Sequence, residues 1–282
     1  MNNDNNQKEK EEEVLIRPVS KLKDLSLRDL YKYRHILWRM VYREIRLTYD
    51  NLSLGFFWSA ALPLTMMFTF VILKRFSRAN MFETVPYSIY AYSGLIMWFN
   101  FREACAKTMY SVGKDSNLIK KVYFPRLYLP MVPIIAAYYN LALAAVPLVI
   151  MMLVTGLYPG FRILLLPVVL FQYSLLVFGI GTIFTTLSLI KKDFERLLIL
   201  VLYVGLFISP VIYAPDMIPA KVRSIYLLNP MAGTLLAFRS CLFYDFPFPF
   251  WLFMYSSLVS VIFLIVGTIM FKKAEIYFAD KL

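Results

Sequence analysis

The sequence predicts an all-α membrane protein with six transmembrane helices, an N-terminal amphipathic interface helix and a re-entrant outer hairpin between the fifth and sixth spans. Six stretches carry no charged residue and are close to or above the roughly 20 apolar residues that cross a bilayer. These stretches are 51–73, 84–101, 127–161, 163–190, 197–215 and 246–271. Only 17% of the residues are charged, against roughly 25% in a soluble domain. A second, soluble catalytic domain is therefore not expected.

The first 50 residues are polar and divide into two parts. Residues 1–25 are predicted to form a disordered or loosely ordered cytoplasmic tail, because this stretch is polar and highly charged. Residues 26–50 place apolar and basic side chains on separate helical faces. This pattern predicts an amphipathic helix that lies either in the lipid headgroup plane or against a protein partner. No cleavable signal peptide is expected, because the first apolar run comes too late and is too long.

Residues 51–282 form the predicted transmembrane domain. Its helices are expected at about 53–74, 84–105, 128–155, 162–190, 197–213 and 247–271. The segment between the last two has an uncharged core of residues 224–238 that is interrupted at Asn229-Pro230. A core that short and broken predicts a hairpin that enters the outer leaflet and is buried against protein.

The distribution of the basic residues orients the chain. With six spans and a cytoplasmic N-terminus, 23 of the 30 Lys and Arg lie on the inner side. This bias predicts a multi-pass protein with both termini in the cytoplasm. The positive charge is thereby explained by topology and membrane lipids, and no nucleic acid partner is expected. Cys105 and Cys241 fall on opposite sides, so no disulfide between them is expected.

A series of short motifs resembles the permease subunits of ABC-2 type exporters over nearly the whole chain, and among them the O-antigen, capsule and teichoic acid export permeases. Their order and their placement relative to the six spans carry the resemblance. The motifs are Arg43-Glu44-Ile45-Arg46, Leu54-Gly55-Phe56-Phe57-Trp58, Trp98-Phe99, Asn117-Leu118-Ile119, Phe124-Pro125-Arg126, Ser209-Pro210-Val211-Ile212-Tyr213 and Leu228-Asn229-Pro230-Met231. The chain departs from the usual pattern at Thr48, Leu52 and Met97, where relatives commonly have Arg, Ser and Pro.

The resemblance implies a homodimer that works with two copies of a separate ABC ATPase in a bacterial inner (cytoplasmic) membrane. The sequence independently lacks the G-x-x-x-x-G-K-[ST] run that cradles nucleotide phosphates. The chain is therefore expected to be a transport subunit and not an enzyme. No cofactor is expected in it, and ATP and Mg are assigned to the partner subunit.

Cytoplasmic segments are the candidates for coupling to that ATPase. The loop 113–126 combines positive charge with aromatic side chains, and 191–196 is a short charged turn. The alternative for the loop is an ordinary positive-inside segment that holds lipid phosphates. The predicted coupling residues are Lys120, Lys121, Tyr123, Phe124, Arg126, Asp193 and Arg196.

Aromatic faces and neutral polar groups suit a path for a sugar polymer. The spans contain almost no ionisable groups, which argues against ion coupling. Each aromatic side chain has the alternative of helix packing or a lipid-facing belt. The predicted glycan channel consists of Trp58, Thr65, Thr69, Tyr138, Tyr203 and Phe207.

Two further sets complete the predicted transport path, and no metal site is expected in the chain. The substrate is expected to be an undecaprenyl-pyrophosphate-linked glycan, whose headgroup enters past Arg39, Arg43 and Arg46. The predicted outer gate, for which a static cap is the alternative, consists of Pro210, Tyr213, Asn229 and Pro230.

The predicted function is the membrane-spanning permease subunit of an ATP-driven exporter of a lipid-linked polysaccharide, with O-antigen preferred. Teichoic acid or capsule is an alternative cargo, and a small amphiphile or a lipid is another. A membrane-embedded enzyme or assembly factor is a further alternative. The spans lack the acid, base and metal-binding residues that such an enzyme needs.

Overall fold

The computed structural model describes residues 31–50, 55–76, 85–115 and 124–281, and these ranges contain helices and no β-strand. The α-helices are α1 (Arg34–Tyr49), α2 (Gly55–Phe76), α3 (Tyr87–Lys114), α4 (Tyr128–Thr155), α5 (Leu166–Ile190), α6 (Asp193–Ile208), α7 (Ala220–Leu227), α8 (Pro230–Leu242) and α9 (Phe250–Lys281). Short 3-10 helices at Phe161–Leu165 and Pro215–Met217 precede α5 and α7. The prediction of an all-α protein is confirmed for the described residues.

Four helices of the described chain are long and apolar enough to cross a membrane. The apolar stretches are Phe57–Lys74, Tyr128–Thr155, Phe161–Ile190 and Phe250–Glu275. They coincide with the first, third, fourth and sixth predicted spans. The second and fifth predicted spans correspond to α3 and α6, which do not meet the same criteria. The count of six spans therefore stays a prediction.

The two remaining helices differ from the four for separate physical reasons. Helix α3 carries charged residues in its second half, such as Arg102, and is less apolar than the others. It is also the central helix and packs against α2, α4, α5, α6 and α8, so most of its side chains face protein. Helix α6 has only 16 residues, a length of about 24 Å.

Polar side chains of α3 bond to neighbouring helices. The Tyr92 hydroxyl donates to the Ala144 carbonyl at 2.8 Å, and the Asn100 amide donates to the Ala137 carbonyl at 2.7 Å. The Tyr173 hydroxyl of α5 donates to Asn100 Oδ1 at 2.6 Å. Such bonds between buried helices fix their register.

Helices α5 and α9 approach closely at glycines. A Cβ atom added to Gly179 would lie 2.5 Å from the backbone carbonyl carbon of Phe263. Nearby, the Gln172 amide donates to Ser260 Oγ at 2.7 Å and accepts from Thr234 of α8 at 2.9 Å. Small residues and interhelical hydrogen bonds are the usual means of packing helices in a membrane.

The segment between α6 and α9 contains two helices that meet at the predicted break. Helix α7 ends at Leu227 and α8 begins at Pro230. The Asn229 side chain caps α8 by accepting from the Met231 amide at 3.0 Å, as expected at a helix N-terminus. Most of α8 is buried, whereas most of α7 is exposed. The position of this hairpin in a bilayer stays a prediction.

Helix α1 lies against the bundle at the ends of α3, α4 and α9. Its Met40 and Val41 are buried in an apolar cluster, here called the inner cluster, whose other buried members are Val112, Phe124, Tyr128, Leu129, Val132 and Phe271. The opposite face of α1 exposes Trp38 and Tyr42. We call this end of the bundle the inner end, because the distribution of Lys and Arg predicts that it faces the cytoplasm.

Candidate functional site

The predicted coupling residues divide into three groups: those outside the described residues, the pair Phe124 and Arg126 before α4, and the pair Asp193 and Arg196 on α6. Lys120, Lys121 and Tyr123 lie outside the described residues. Phe124 is 5% exposed in the inner cluster, so its ring packs inside the chain. Arg126 donates to the Glu275 carbonyl at 2.6 Å and thereby joins the start of α4 to α9.

Asp193 and Arg196 form the third group, at the start of α6. Both side chains are exposed, and neither makes an ion pair with a described residue. Asp193 lies in the first helical turn, where a carboxylate interacts favourably with the helix dipole. These two side chains are accessible to a partner protein.

Ion pairs attach α1 to the inner end of α3. Lys114 Nζ lies 2.5 Å from Glu44 Oε2, and Arg43 pairs with Asp115. The Glu44 carboxylate is 6% exposed, so the Lys114 ammonium compensates a nearly buried charge. These two pairs couple the position of α1 to that of α3.

The three arginines predicted at the lipid entrance are therefore not equivalent. Arg43 and Arg46 each have a carboxylate partner within the chain, the latter with Arg46 Nε 2.6 Å from Asp50 Oδ2. That hydrogen bond raises the pKa of the Arg46 guanidinium. Arg39 is exposed and has no ion pair with a described residue.

Arg102 is a cation for which the sequence pattern predicted no role. Its guanidinium carbon lies 4.9 Å from the ring centroid of Phe99 and 5.0 Å from that of Tyr203. No carboxylate of the described chain lies within ion-pair distance of it. The side chain therefore bridges α3 and α6 through aromatic faces and leaves its positive charge uncompensated. Phe99 one helical turn before a basic residue is the sequence signal for this contact.

The predicted channel residues on α6 share an exposed face. Tyr203 and Phe207 are each 57% exposed and lie one helical turn apart. Other apolar residues of α6, such as Leu200 and Val204, are also exposed. No described element covers this face, which is apolar and aromatic along the helix.

The other predicted channel residues lie in different surroundings. The hydroxyls of Thr65 and Thr69 donate to carbonyls one turn earlier in α2, at 2.8 Å and 3.0 Å. The Tyr138 hydroxyl donates to the Leu170 carbonyl at 2.8 Å and joins α4 to α5. Trp58 is 59% exposed and lines a cavity between the end of α1 and helices α2, α3 and α4. Contact between these side chains and a glycan stays a prediction.

The residues predicted to form the outer gate are held near one another. The Asn229 amide donates to Ser209 Oγ at 2.7 Å, which connects the start of α8 to the end of α6. The Tyr213 ring lies 6.0 Å from the Tyr226 ring of α7, and its hydroxyl bonds to the Phe207 carbonyl. Pro230 is the first residue of α8.

Arg239 organises this region, although the sequence pattern predicted no role for it. Its guanidinium donates to the carbonyls of Pro210 and Val211, both at 2.5 Å, and to the Tyr90 carbonyl at 3.0 Å. The side chain is fully buried. Within the described residues it has no carboxylate partner, so backbone carbonyls and the Tyr90 ring satisfy this cation.

A family model described as ABC-2 type transporter matches residues 35–243, well over half of the chain. The chain belongs to the ABC-2 type transporter family. The resemblance to ABC-2 type export permeases is thereby confirmed, and with its apolar helices this permease is a multi-pass membrane protein. The matched region includes α1, the inner ends of α3 and α4, the exposed face of α6 and Arg239.

Curated relatives of the permease are export permeases for polysaccharides. An O-antigen export system permease protein RfbA of Klebsiella pneumoniae is 28% identical over 240 residues, covering 84% of this chain and 91% of that protein. The RfbA protein of Myxococcus xanthus is 25% identical, over 79% of this chain and 85% of its own length. The capsule polysaccharide export inner-membrane protein BexB of Haemophilus influenzae is 23% identical, over 73% and 78%.

Proposed function

We propose that the chain is the membrane-spanning permease subunit of an ATP-driven exporter that moves a lipid-linked polysaccharide across the bacterial inner membrane. The similarity to O-antigen export permeases over 84% of the chain carries this proposal. O-antigen is the preferred cargo, because the RfbA relatives are more similar and cover more of the chain than BexB. Capsule polysaccharide is the second candidate, on the strength of the BexB similarity.

The proposed assembly contains two copies of this chain and two copies of an ABC ATPase. The uncovered apolar face of α6 supports a second copy as its neighbour, because a large apolar face needs either lipid or protein against it. The accessible Asp193 and Arg196 at the inner end support an ATPase contact there. Six spans with both termini in the cytoplasm complete this arrangement.

The proposed substrate is a glycan linked to undecaprenyl pyrophosphate. Arg39 and Arg102 lack a carboxylate partner among the described residues, which leaves both cations available to phosphate oxygens. Tyr203 and Phe207 offer exposed rings on which sugars can stack. Phosphate recognition near the inner end and aromatic contacts along α6 together match the two halves of such a molecule.

Copurification tests this function. The permease carrying an affinity tag is extracted from its native membrane in a detergent without a sugar headgroup, and the associated proteins are identified by mass spectrometry. We expect an ABC ATPase in equimolar amount and ATP hydrolysis only when it is present. Recovery of the permease without an ATPase, or ATP hydrolysis by the permease alone, contradicts the proposal.

A further inference from the structure

A cavity of about 180 Å³ lies in the inner half of the bundle, between the end of α1 and helices α2, α3 and α4. Polar and aromatic side chains supply most of its lining. These polar and aromatic lining residues include Tyr49, Trp58, Phe99, Asn100, Glu103 and Asn140. Of these residues, the sequence pattern had predicted a role for Trp58 alone.

The amide groups at the cavity are held in fixed orientations. Asn100 donates to the Ala137 carbonyl and accepts from the Tyr173 hydroxyl. The Tyr49 hydroxyl donates to Asn140 Oδ1 at 2.7 Å. Groups fixed in this way bind a ligand without the cost of ordering them.

The lining, as far as the structure describes it, offers no cation to an anionic ligand. The described residues that line the cavity include the Glu103 carboxylate and no Lys, Arg or His. Cationic side chains make the strongest hydrogen bonds to phosphate, and these described lining residues supply none. A phosphate or pyrophosphate group is therefore disfavoured in this cavity.

The same carboxylate does not require a cationic ligand. Lys107 Nζ lies 2.7 Å from Glu103 Oε1, and Lys107 is not part of the lining. The weak contact of Asn140 is made to the same oxygen, at 3.5 Å. The charge of Glu103 is thus already compensated, while Oε2 remains an acceptor for hydroxyl groups.

Aromatic faces supply the apolar side of the site. The Trp58 ring is largely exposed where it lines the cavity, and Phe99 lies on the α3 side. Rings of this kind stack against the C–H faces of a pyranose, while neutral amide, phenol and carboxylate groups bond to its hydroxyls. The cavity is smaller than the roughly 300–1,000 Å³ of typical ligand pockets, so it accommodates a single ring.

We propose that this cavity binds one neutral, hydroxyl-rich sugar ring at the inner end of the permease. The inference rests on the proposed function, because it identifies where a sugar of the exported glycan is held before it enters the path along α6. It also defines a chemical preference: neutral sugars bind there more tightly than uronic acids.

Saturation-transfer NMR tests this site. The permease is placed in lipid nanodiscs after complete removal of glycoside-headed detergent, because such detergents carry the sugar under test. The probes are the methyl glycosides of glucose, galactose, mannose and rhamnose, with methyl glucuronide, inorganic phosphate and O-phosphoethanolamine as competitors. We expect at least one neutral glycoside to bind and the three charged probes not to displace it.

Two variants and a matched control assign the binding to the cavity. Trp58→Ala removes an exposed ring and Asn140→Ala removes an amide, and we expect each to weaken glycoside binding roughly 2- to 10-fold. Trp251→Ala removes an equally large exposed ring from α9 outside the cavity and is expected to bind as the wild type does. Glu103→Gln is expected to reduce the discrimination against methyl glucuronide.

Three results overturn the inference. The first is the absence of binding by any neutral glycoside, and the second is equal binding by Trp58→Ala and the wild type. The third is preferential binding of phosphate or of O-phosphoethanolamine, which assigns the cavity to a lipid headgroup. Copurification of an ATPase with a permease that binds no glycoside refutes this site alone, whereas glycoside binding without an ATPase refutes the proposed function alone.

Discussion

The guanidinium carbon of Arg239 lies 3.6 Å from the centroid of the Tyr90 ring. Arg239 belongs to α8 and Tyr90 to α3, and the same guanidinium also bonds to the carbonyls of Pro210 and Val211 after α6. One buried cation therefore joins three segments at the end of the bundle opposite α1. Because its acceptors are carbonyls, these segments are held without a compensating carboxylate among the described residues.

Replacing Arg239 is expected to destabilise the permease. Arg239→Met removes all of these bonds and leaves the carbonyls unpaired. We expect this to lower the free energy of unfolding by about 3 kcal/mol or more. Arg239→Lys retains the charge but has fewer donors and no planar group to stack on Tyr90, so we expect an intermediate loss. Thermal unfolding in nanodiscs measures both, with Lys221→Ala on exposed α7 as a control that is expected to change the free energy of unfolding by less than about 0.5 kcal/mol. If Arg239→Met is as stable as the wild type, Arg239 does not hold these three segments together.

Gly94 leaves the space that the contacts of Arg239 need. A Cβ atom there would clash with the Arg239 guanidinium and with the Val211 carbonyl group. Gly94→Ala is therefore expected to lower the unfolding temperature and to slow export. Gly113→Ala is the matched control on α3, because nothing lies within 4 Å of its Cβ position. Gly113→Ala is expected to raise the free energy of unfolding by up to about 1 kcal/mol. If the two substitutions have equal effects, close packing at Gly94 is contradicted.

Lys114 is expected to hold α1 in place. Lys114→Ala leaves the nearly buried Glu44 carboxylate without its partner, and we expect a loss of about 2–3 kcal/mol with faster proteolysis of α1. Limited proteolysis followed by mass spectrometry measures this release. Arg46→Ala breaks an exposed pair on the same helix and is expected to leave α1 attached as in the wild type, because exposed ion pairs contribute little. If both variants release α1 equally, the buried pair is not what attaches it.

The aromatic residues on α6 are expected to contact the exported glycan. Tyr203→Ala and Phe207→Ala each remove an exposed ring, and we expect export to slow roughly 2- to 10-fold for each at unchanged permease abundance. Surface polysaccharide is measured by pulse labelling in cells. Leu258→Ala on α9 removes an equally exposed apolar side chain and serves as the control. Wild-type export by both α6 variants removes this face from the proposed path.

Arg102 is expected to act through its charge. Arg102→Gln removes the cation that lies between Phe99 and Tyr203, so the lipid pyrophosphate should stimulate the ATPase less. Arg102→Lys retains a charge at the same position and is expected to restore part of the stimulation. ATPase assays of the reconstituted complex with added glycan lipid distinguish the two. Stimulation of Arg102→Gln equal to that of the wild type contradicts phosphate binding there.

The helices that the sequence predicted best are those whose sides are apolar nearly throughout. Helices α2, α4 and α5 fall within a few residues of their expected bounds, because every exposed position must be compatible with lipid. Helix α9 begins near its expected start but continues to Lys281, past the expected end at 271. Helix α3 extends to Lys114, beyond the expected end at 105, because its second half packs inside the chain and tolerates polar residues. Local composition does not carry that tertiary information.

The candidate site was predicted less completely, because its decisive contacts join distant parts of the chain. Arg43 pairs with Asp115, and Arg239 bonds to Tyr90, 149 residues earlier. The spacing of residues along the sequence does not predict such pairs, because they depend on how the helices pack. The buried position of Phe124 likewise follows from packing against α1 and α9 and not from its loop.

Export of the polysaccharide tests the central claim most directly. The gene for the permease is depleted in its native host, and lipid-linked polysaccharide is quantified separately inside the cell and on its surface. We predict that the polymer accumulates inside, disappears from the surface and reappears there when the wild-type permease is restored. Normal surface polysaccharide after depletion, without internal accumulation, would contradict the assignment of this chain to polysaccharide export.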